Sequence, residues 1–168
     1  MLQNTTMSFK LKKLKGQGDE AIVYELKLNS PHTFNGVKLK NGNYILKNYK
    51  RKPLFDLNEL INLSKKRLIP KVYVVDGRIV IMDFVKGITF QEFLDKKYSE
   101  NIRKKVFKNL KNLLQKWHNY DKRHCDLNFY NILVTNTYNV YFIDPMLNRC
   151  DINSDQQELN EIKKYLKI

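Results

Sequence analysis

The chain is poor in cysteine and has no long run of apolar residues. Its two cysteines, Cys125 and Cys150, are too few for a disulfide framework and lack the spacing of a metal site. Cys125 is expected to be a reduced side chain. No stretch approaches the roughly 18 apolar residues of a membrane-spanning helix, so no membrane span is predicted. Residues 1–9 lack the charged-then-apolar order of a signal peptide, which favours a cytoplasmic protein. An exported effector that acts in a host cell is the alternative.

Acidic residues are also few, since 31 basic residues face 17 acidic ones and the formal net charge is +14. Such a charge favours acidic partners, whether an acidic protein face, nucleic acid or an anionic membrane. The lysines are spread along the chain, and the many Asn, Ile and Tyr residues indicate an AT-rich genome. Nucleic acid is therefore the lesser expectation. A length of 168 residues suffices for one domain, or for two small lobes, with a buried core.

Two short apolar runs near the C-terminal third predict a β-hairpin. They occupy residues 132–134 and 140–143, with turn residues at 136–139 between them. Pairing of the two runs would bring Asn131, just before the first strand, and Asp144, just after the second, to the same end of the ribbon. Two oxygen ligands would then face one point.

The polar residues around this hairpin are of the types that phosphoryl transfer uses. Asn131 and Asp144 offer amide and carboxylate oxygens, which are suitable ligands for Mg²⁺. Asp126, five residues before Asn131, can orient an acceptor hydroxyl and take its proton. The structural alternative is a buried His124 and a polar turn between core strands.

At these residues the sequence resembles the protein-kinase superfamily. The string from His124 to Asn131 matches the catalytic-loop pattern H-x-D-L-x-x-x-N, and Asp144 stands where that superfamily has its later metal-binding Asp. The resemblance implies a phosphotransferase dependent on ATP and Mg²⁺. Asp126 would be the catalytic base, and Asn131 and Asp144 would hold the metal.

The same resemblance implies an α+β fold, namely a minimal two-lobed kinase-like fold that makes the whole chain one domain. An N-terminal antiparallel sheet with one helix would occupy residues 9–83, and a shortened, mainly helical C-lobe would occupy residues 88–168. Residues 84–87 would be the hinge between the lobes. The backbone of Asp83 and Val85 would hydrogen-bond adenine there.

The N-terminal part carries the other residues that the resemblance assigns to nucleotide binding. Gly16 and Gly18 lie between two predicted strands, in a flap whose backbone N–H groups could approach phosphates closely. Lys47, in a later strand, would touch the non-transferred phosphates; the alternative is a solvated surface lysine. Glu59 is the only Glu of the helix predicted over residues 53–66, and it would pair with Lys47.

The departures from the kinase pattern favour an atypical branch of the superfamily. The D-F-G motif is replaced by Asp144-Pro145-Met146, and neither an A-P-E motif nor an activation segment is present. Leu127-Asn128-Phe129-Tyr130-Asn131 is similar to the RIO loop D-L-S-x-Y-N. Gly18-Asp19-Glu20-Ala21 resembles the G-A-E-A loop of the small kinase subunit of the KEOPS tRNA-modification complex. A small RIO-like or KEOPS-type kinase is therefore expected.

Three functions are compatible with these residues. The leading hypothesis is a serine/threonine protein kinase that phosphorylates itself or is activated by a partner. Asn128 stands where Ser/Thr protein kinases have a lysine, which leaves open a small-molecule phosphotransferase of the aminoglycoside or sugar kinase type. The third is a kinase-fold binding module that docks an acidic partner. The expected partners are ATP and a protein substrate or activator, with tRNA as the lesser alternative.

Overall fold

The computed structural model describes residues 9–14, 20–53, 55–120, 122, 124–146 and 154–168. The chain divides into two compact units, of which the first comprises residues 1–65 and 71–84 and the second residues 66–70 and 85–168. The lobe and hinge boundaries expected from the sequence stay a prediction.

The first unit is built on a five-stranded antiparallel sheet in the order β1-β2-β5-β7-β6, beside a separate β3-β4 hairpin. Apolar side chains of Leu26, Tyr44 and Ile81 form its buried cluster. Its elements in chain order are β1 (Phe9–Lys13), β2 (Ala21–Leu28), β3 (His32–Phe34), β4 (Val37–Leu39), β5 (Gly42–Tyr49), α1 (Asn58–Lys65), β6 (Val72–Asp76) and β7 (Ile79–Asp83).

Tight turns with left-handed residues close two of the hairpins. Asn35 and Gly36 between β3 and β4 have φ angles of 46° and 79°, and Gly77 after β6 has a φ of 57°. Asn-Gly and Asp-Gly pairs favour such turns, because their twist matches that of the flanking strands. The sequence predicts the Asp76-Gly77 hairpin, which is confirmed. Around Asn35-Gly36 it leaves an extended loop or an extra hairpin open, and the structure has the hairpin.

Helix α1 begins at Asn58, later than the range of 53–66 predicted with Pro53 or Asp56 near its start. The side chain of Asp56 accepts the backbone N–H of Asn58 at 2.9 Å, and its carbonyl oxygen accepts that of Glu59 at 3.0 Å. Asp56 therefore satisfies the first free donors of the helix, and this cap sets the point at which the helix starts.

The second unit combines three helices with a three-stranded antiparallel sheet in the order β10-β9-β8. Trp117 is fully buried and donates its indole N–H to the carbonyl of Leu68 at 3.2 Å, which fixes residues 66–70 in this unit. The elements are β8 (Gly87–Thr89), α2 (Phe90–Leu94), α3 (Glu100–Asn119), β9 (Ile132–Thr135), β10 (Val140–Phe142) and α4 (Ser154–Leu166).

Strand β8 was not expected from the sequence. It pairs with β9 so closely that a Cβ atom on Gly87 would lie 2.8 Å from the carbonyl oxygen of Val134. Glycine is thus the residue that permits this approach. Thr89 then caps α2 with a full capping box to Glu92, as its sequence position predicted.

The predicted α+β class is confirmed, with an antiparallel sheet and one helix in the N-terminal unit and a mainly helical second unit. Within the described residues, no helix is long and apolar enough to cross a membrane.

Candidate active site

The carboxylate of Asp126 is held between two asparagine amides. Asn128 donates its Nδ2 to Oδ1 of Asp126 at 2.8 Å, and Asn131 donates its Nδ2 to Oδ2 at 2.6 Å and to the Asp126 carbonyl at 2.9 Å. Asn128 also accepts the backbone N–H groups of Tyr130 and Asn131 at its Oδ1. This asparagine closes the turn and orients the carboxylate at once, since an Asx turn uses the side chain as a backbone acceptor.

The predicted hairpin of strands β9 and β10 is present, with Ile132 opposite Phe142. Beyond that pair the N–H of Ile143 donates to the carbonyl of Asn131 at 2.9 Å. Asn131 and Asp144 therefore lie at the same end of the ribbon. Because the amide nitrogen of Asn131 binds Asp126, its Oδ1 atom is the one turned to other partners.

The donor set of this end of the hairpin fits Mg²⁺ in its chemistry. Asn131 and Asp144 supply one amide oxygen and one carboxylate, and Mg²⁺ commonly takes few protein ligands and completes its octahedron with water and phosphate oxygens. Among the described residues, no group of three or more His, Cys, Asp and Glu side chains forms a preassembled metal site. Such a pair suits a metal that arrives with its nucleotide.

His124 is a core residue behind the catalytic loop. Its side chain is fully buried against the rings of Trp117 and Phe142, and its Nε2 lies 2.8 Å from the carbonyl of Ile143. Burial lowers the pKa of His124, and the hydrogen bond to Ile143 opposes that effect only in part. A neutral ring with its proton on Nε2 links the loop to the end of the hairpin. The structural alternative for this histidine is thus correct, and it coexists with the arrangement of Asp126.

Asp155 supports the loop from helix α4, and the sequence analysis missed this role. Its carboxylate is fully buried and accepts the backbone N–H of His124 at 3.1 Å and that of Cys125 at 3.3 Å. His118 at the end of α3 approaches the same carboxylate at 3.3 Å. The only local signal was an Asp beside Ser154 at a predicted helix start, which indicates a cap and nothing about a distant loop.

Glu158, one turn further along α4, adds negative charge beside the loop. Its Oε2 atom is buried and has no hydrogen-bond partner among the described residues. Burial raises the pKa of Glu158, and the nearby carboxylates of Asp155 and Asp126 raise it further, while a backbone hydrogen bond from Leu127 lowers it. The charges of these two carboxylates thus act on Glu158.

Two residues of the site have left-handed backbone conformations. Cys125 has a φ of 61° and Asp144 a φ of 58°. Such conformations cost non-glycine residues on the order of 1–3 kcal/mol and persist where surrounding contacts determine them.

The expectation of a reduced Cys125 is wrong, because its sulfur is disulfide-bonded. Cys150 lies outside the described residues.

Lys47 is a buried side chain in the first unit. It lies on β5 opposite Val23 of β2 and Val80 of β7, and only 6% of the residue is exposed. The alternative of a solvated surface lysine is therefore wrong. A buried ammonium requires a compensating anion or acceptor. Glu59 lies in the first turn of α1 and accepts the Nδ2 of Asn62 at 3.0 Å; its pairing with Lys47 stays a prediction.

The structure describes only some of the other residues that the sequence predicts to contact the nucleotide. Gly16 and Gly18 lie outside the described residues. The N–H of Asp83 donates to the carbonyl of Lys71 at 2.8 Å, so its own carbonyl is the group by which it could bind adenine. Asp83 belongs to the first unit and Val85 to the second.

A comparison of the sequence with models of known protein families finds one match. The sequence model of the RIO domain matches residues 29–146, which is more than half of the chain. No curated protein matches the sequence.

Proposed function

Because the chain belongs to the RIO domain family, whose members are atypical kinases or ATPases, we propose that it is an ATP- and Mg²⁺-dependent kinase that phosphorylates serine or threonine hydroxyls of a protein, its own included. The observation that carries the proposal is the carboxylate of Asp126, which two amides orient beside Asn131.

Asp126 would be the catalytic base. A base must present its oxygen to the acceptor hydroxyl in one orientation, and the amides of Asn128 and Asn131 restrict rotation of this carboxylate. Each carboxylate oxygen accepts one amide N–H, and each can still accept a further proton donor. The acceptor hydroxyl would give its proton to Asp126 as its oxygen bonds to the γ-phosphorus of ATP. The bond from that phosphorus to the bridging oxygen would break, and ADP would leave.

Asn131 and Asp144 would hold Mg²⁺ at the end of the β9–β10 hairpin. When bound, the ion supplies neutralisation of the charge on the phosphate oxygens. The chain's own contribution is to fix the two ligands, since the bond from Ile143 to the Asn131 carbonyl sets their register. The left-handed backbone of Asp144 turns the chain at that point.

Lys47 would neutralise the non-transferred phosphates, with Glu59 holding its ammonium in place. Its burial supports this role, because an ammonium group with so little contact with water gains more from an anionic ligand than an exposed one does. Gly16 and Gly18 would cover the phosphates with backbone N–H groups. The carbonyl of Asp83 and the backbone of Val85 would bind adenine.

The first test is intact mass after incubation with MgATP, alone and with casein as a generic acceptor. The wild type should gain one or more phosphates or transfer them to casein, and Asp126→Asn should not, although it keeps the shape of the side chain. Asp76→Asn is a matched control, because it makes the same change at an exposed hairpin turn. MgATP should also raise the melting temperature of the wild type.

Absence of both phosphoryl transfer and any melting shift with MgATP would contradict the proposal and favour the binding-module alternative. Equal activity of Asp126→Asn and the wild type would contradict the assignment of the base.

One observation favours phosphorylation of a small molecule as a second candidate. The side chain two residues after Asp126 is Asn128, which donates to Asp126, where Ser/Thr protein kinases have a lysine. Coupled ADP release in the presence of separate aminoglycosides and sugars would test it. Stimulation by one of them, in the absence of any protein acceptor, would support this function over protein phosphorylation.

A further inference from the structure

A cavity lies in the second unit, and it is lined by residues other than those proposed for phosphoryl transfer. It has a volume of about 320 Å³, and it opens between the segment 66–70, helix α3 and the start of β10. This size is within the usual range of small-molecule sites. The polar side chains that line it are Arg67, Asn109, Asn112, Lys116 and Asn139. None of Asp126, Asn131 and Asp144 contributes to it.

The charged side chains that line the cavity are all cationic. Arg67 and Lys116 are exposed cations that reach it from two different parts of the chain. No carboxylate lines the cavity among the residues that the structure describes. Among the described residues, Arg67 and Lys116 form no ion pair. Two cations without a protein counter-charge in one concave site favour an anionic ligand.

The amides of the cavity favour a ligand that carries hydroxyl groups. Asn109 donates its Nδ2 to the carbonyl of Tyr138 at 2.9 Å, and Asn139 donates its Nδ2 to Oγ1 of Thr137 at 3.2 Å. One N–H of each amide is used within the protein, so each amide nitrogen is oriented, and the Oδ1 atoms can accept hydrogen bonds from a ligand. Asn112, on the exposed side of α3, can both donate and accept.

The backbone of Arg67 gives an independent indication that this side chain has a role. Its φ of 57° lies in the left-handed region, which has an energetic cost for a residue with a side chain but not for glycine. Glycine or asparagine would occupy such a position without this cost. The chain instead places a guanidinium there, at the wall of the cavity. The neighbouring Leu68 is almost completely buried and provides an apolar floor.

We propose that this cavity binds a phosphate ester on a hydroxylated carrier. Arg67 and Lys116 bind the phosphate through charge-assisted hydrogen bonds, and the asparagine oxygens accept the carrier's hydroxyl groups. Two sources share this chemistry, namely a free sugar phosphate and a phosphorylated ribose at the end of an RNA strand.

The test is a titration of the ¹⁵N-labelled full chain, with the side-chain amide signals of Asn109, Asn112 and Asn139 as the readout. The probes are inorganic phosphate, ribose 5-phosphate and a short 5′-phosphorylated oligouridylate. Ribose 5-phosphate should shift all three signals saturably with one dissociation constant, and it should bind more tightly than phosphate. If the oligouridylate binds at least about tenfold tighter, with a steep salt dependence, the source is RNA. If its affinity equals that of ribose 5-phosphate, the source is a free sugar phosphate.

Matched variants separate this site from general attraction to a basic protein. Lys116→Gln should weaken ribose 5-phosphate binding by about tenfold or more, because one charge-assisted bond is lost. Lys111→Gln removes the same charge from an exposed position of the same helix outside the cavity, and it should change the affinity by less than about twofold. Asn112→Asp, which is nearly isosteric, should also weaken binding by introducing a like charge.

The proposal is overturned if none of the three asparagine signals moves with any probe. It is equally overturned if Lys111→Gln weakens binding as much as Lys116→Gln does. Because both lysines are exposed, unchanged melting temperatures should accompany both variants, which makes these outcomes independent of folding.

Discussion

Replacement of Asp155 is the sharpest test of how the catalytic loop is held. Asp155→Ala would leave the backbone N–H groups of the fully buried His124 and of the partly buried Cys125 without their acceptor. A fully buried unsatisfied donor costs on the order of 1–3 kcal/mol and a partly buried one costs less, so the expected loss is ~2–4 kcal/mol of unfolding free energy. That is a large part of the roughly 5–15 kcal/mol by which a domain is stable. Asp155→Asn keeps the shape and one acceptor oxygen, and should lose about half as much.

Urea denaturation measures the global loss, and amide hydrogen exchange at His124 and Cys125 measures the local one. Glu161→Gln is the matched control, since Glu161 is an exposed acid on the same helix and its replacement should stay within about 0.5 kcal/mol. The reasoning is refuted if Asp155→Ala unfolds within about 0.5 kcal/mol of the wild type and exchanges those two amides at the wild-type rate.

Three further predictions follow from the described contacts. Lys47→Ala and Asp144→Ala should each lower phosphoryl transfer by at least about 100-fold while cooperative melting is retained, and near-normal turnover would contradict their assignments. Burial, and then the 2.7 Å hydrogen bond to Asp83, raise the pKa of Tyr73 to about 12, so the stability that this group contributes is lost as the pH rises through that value. Tyr73→Phe should cost about 1 kcal/mol in urea and remove the late step from the ultraviolet titration of tyrosine. Burial lowers the pKa of His124, so unfolding free energy should fall as the pH drops below about 6.5, and His124→Gln should flatten that acid limb.

The parts of the fold that the sequence predicted correctly are those set by local chemistry. Asn35-Gly36 and Asp76-Gly77 mark turns because few other pairs adopt the required backbone angles, and the structure has left-handed residues at both. Thr89 and Ser99 cap α2 and α3 because a hydroxyl before an apolar periodic segment satisfies the first helical N–H groups. These signals act over a few residues and need no tertiary contact.

The parts that were missed depend on contacts between distant residues. Strand β8 has three residues and exists because it pairs with β9, more than forty positions later, which no local pattern of Gly87-Ile88-Thr89 indicates. The range predicted for α1 begins too early because Pro53 suits the first turn of a helix, whereas the cap at Asp56, the other candidate near the start, determines where this helix begins. The preference of proline for the first turn of a helix competed here with the capping signal of Asp56, and the cap determined the start.

The same distinction explains why the sequence motif identified the candidate site but not Asp155, which supports its loop. The loop around Asp126 belongs to neither a helix nor a strand, so its backbone donors must find acceptors elsewhere. Asn128 accepts two of them from within the loop, and this is readable from sequence because Asx turns are local. Asp155 accepts two more from about thirty residues away, and its burial becomes evident only once α4 is packed. The geometry of the proposed base is therefore determined by polar side chains that satisfy backbone groups, and apolar periodicity carries no information about it.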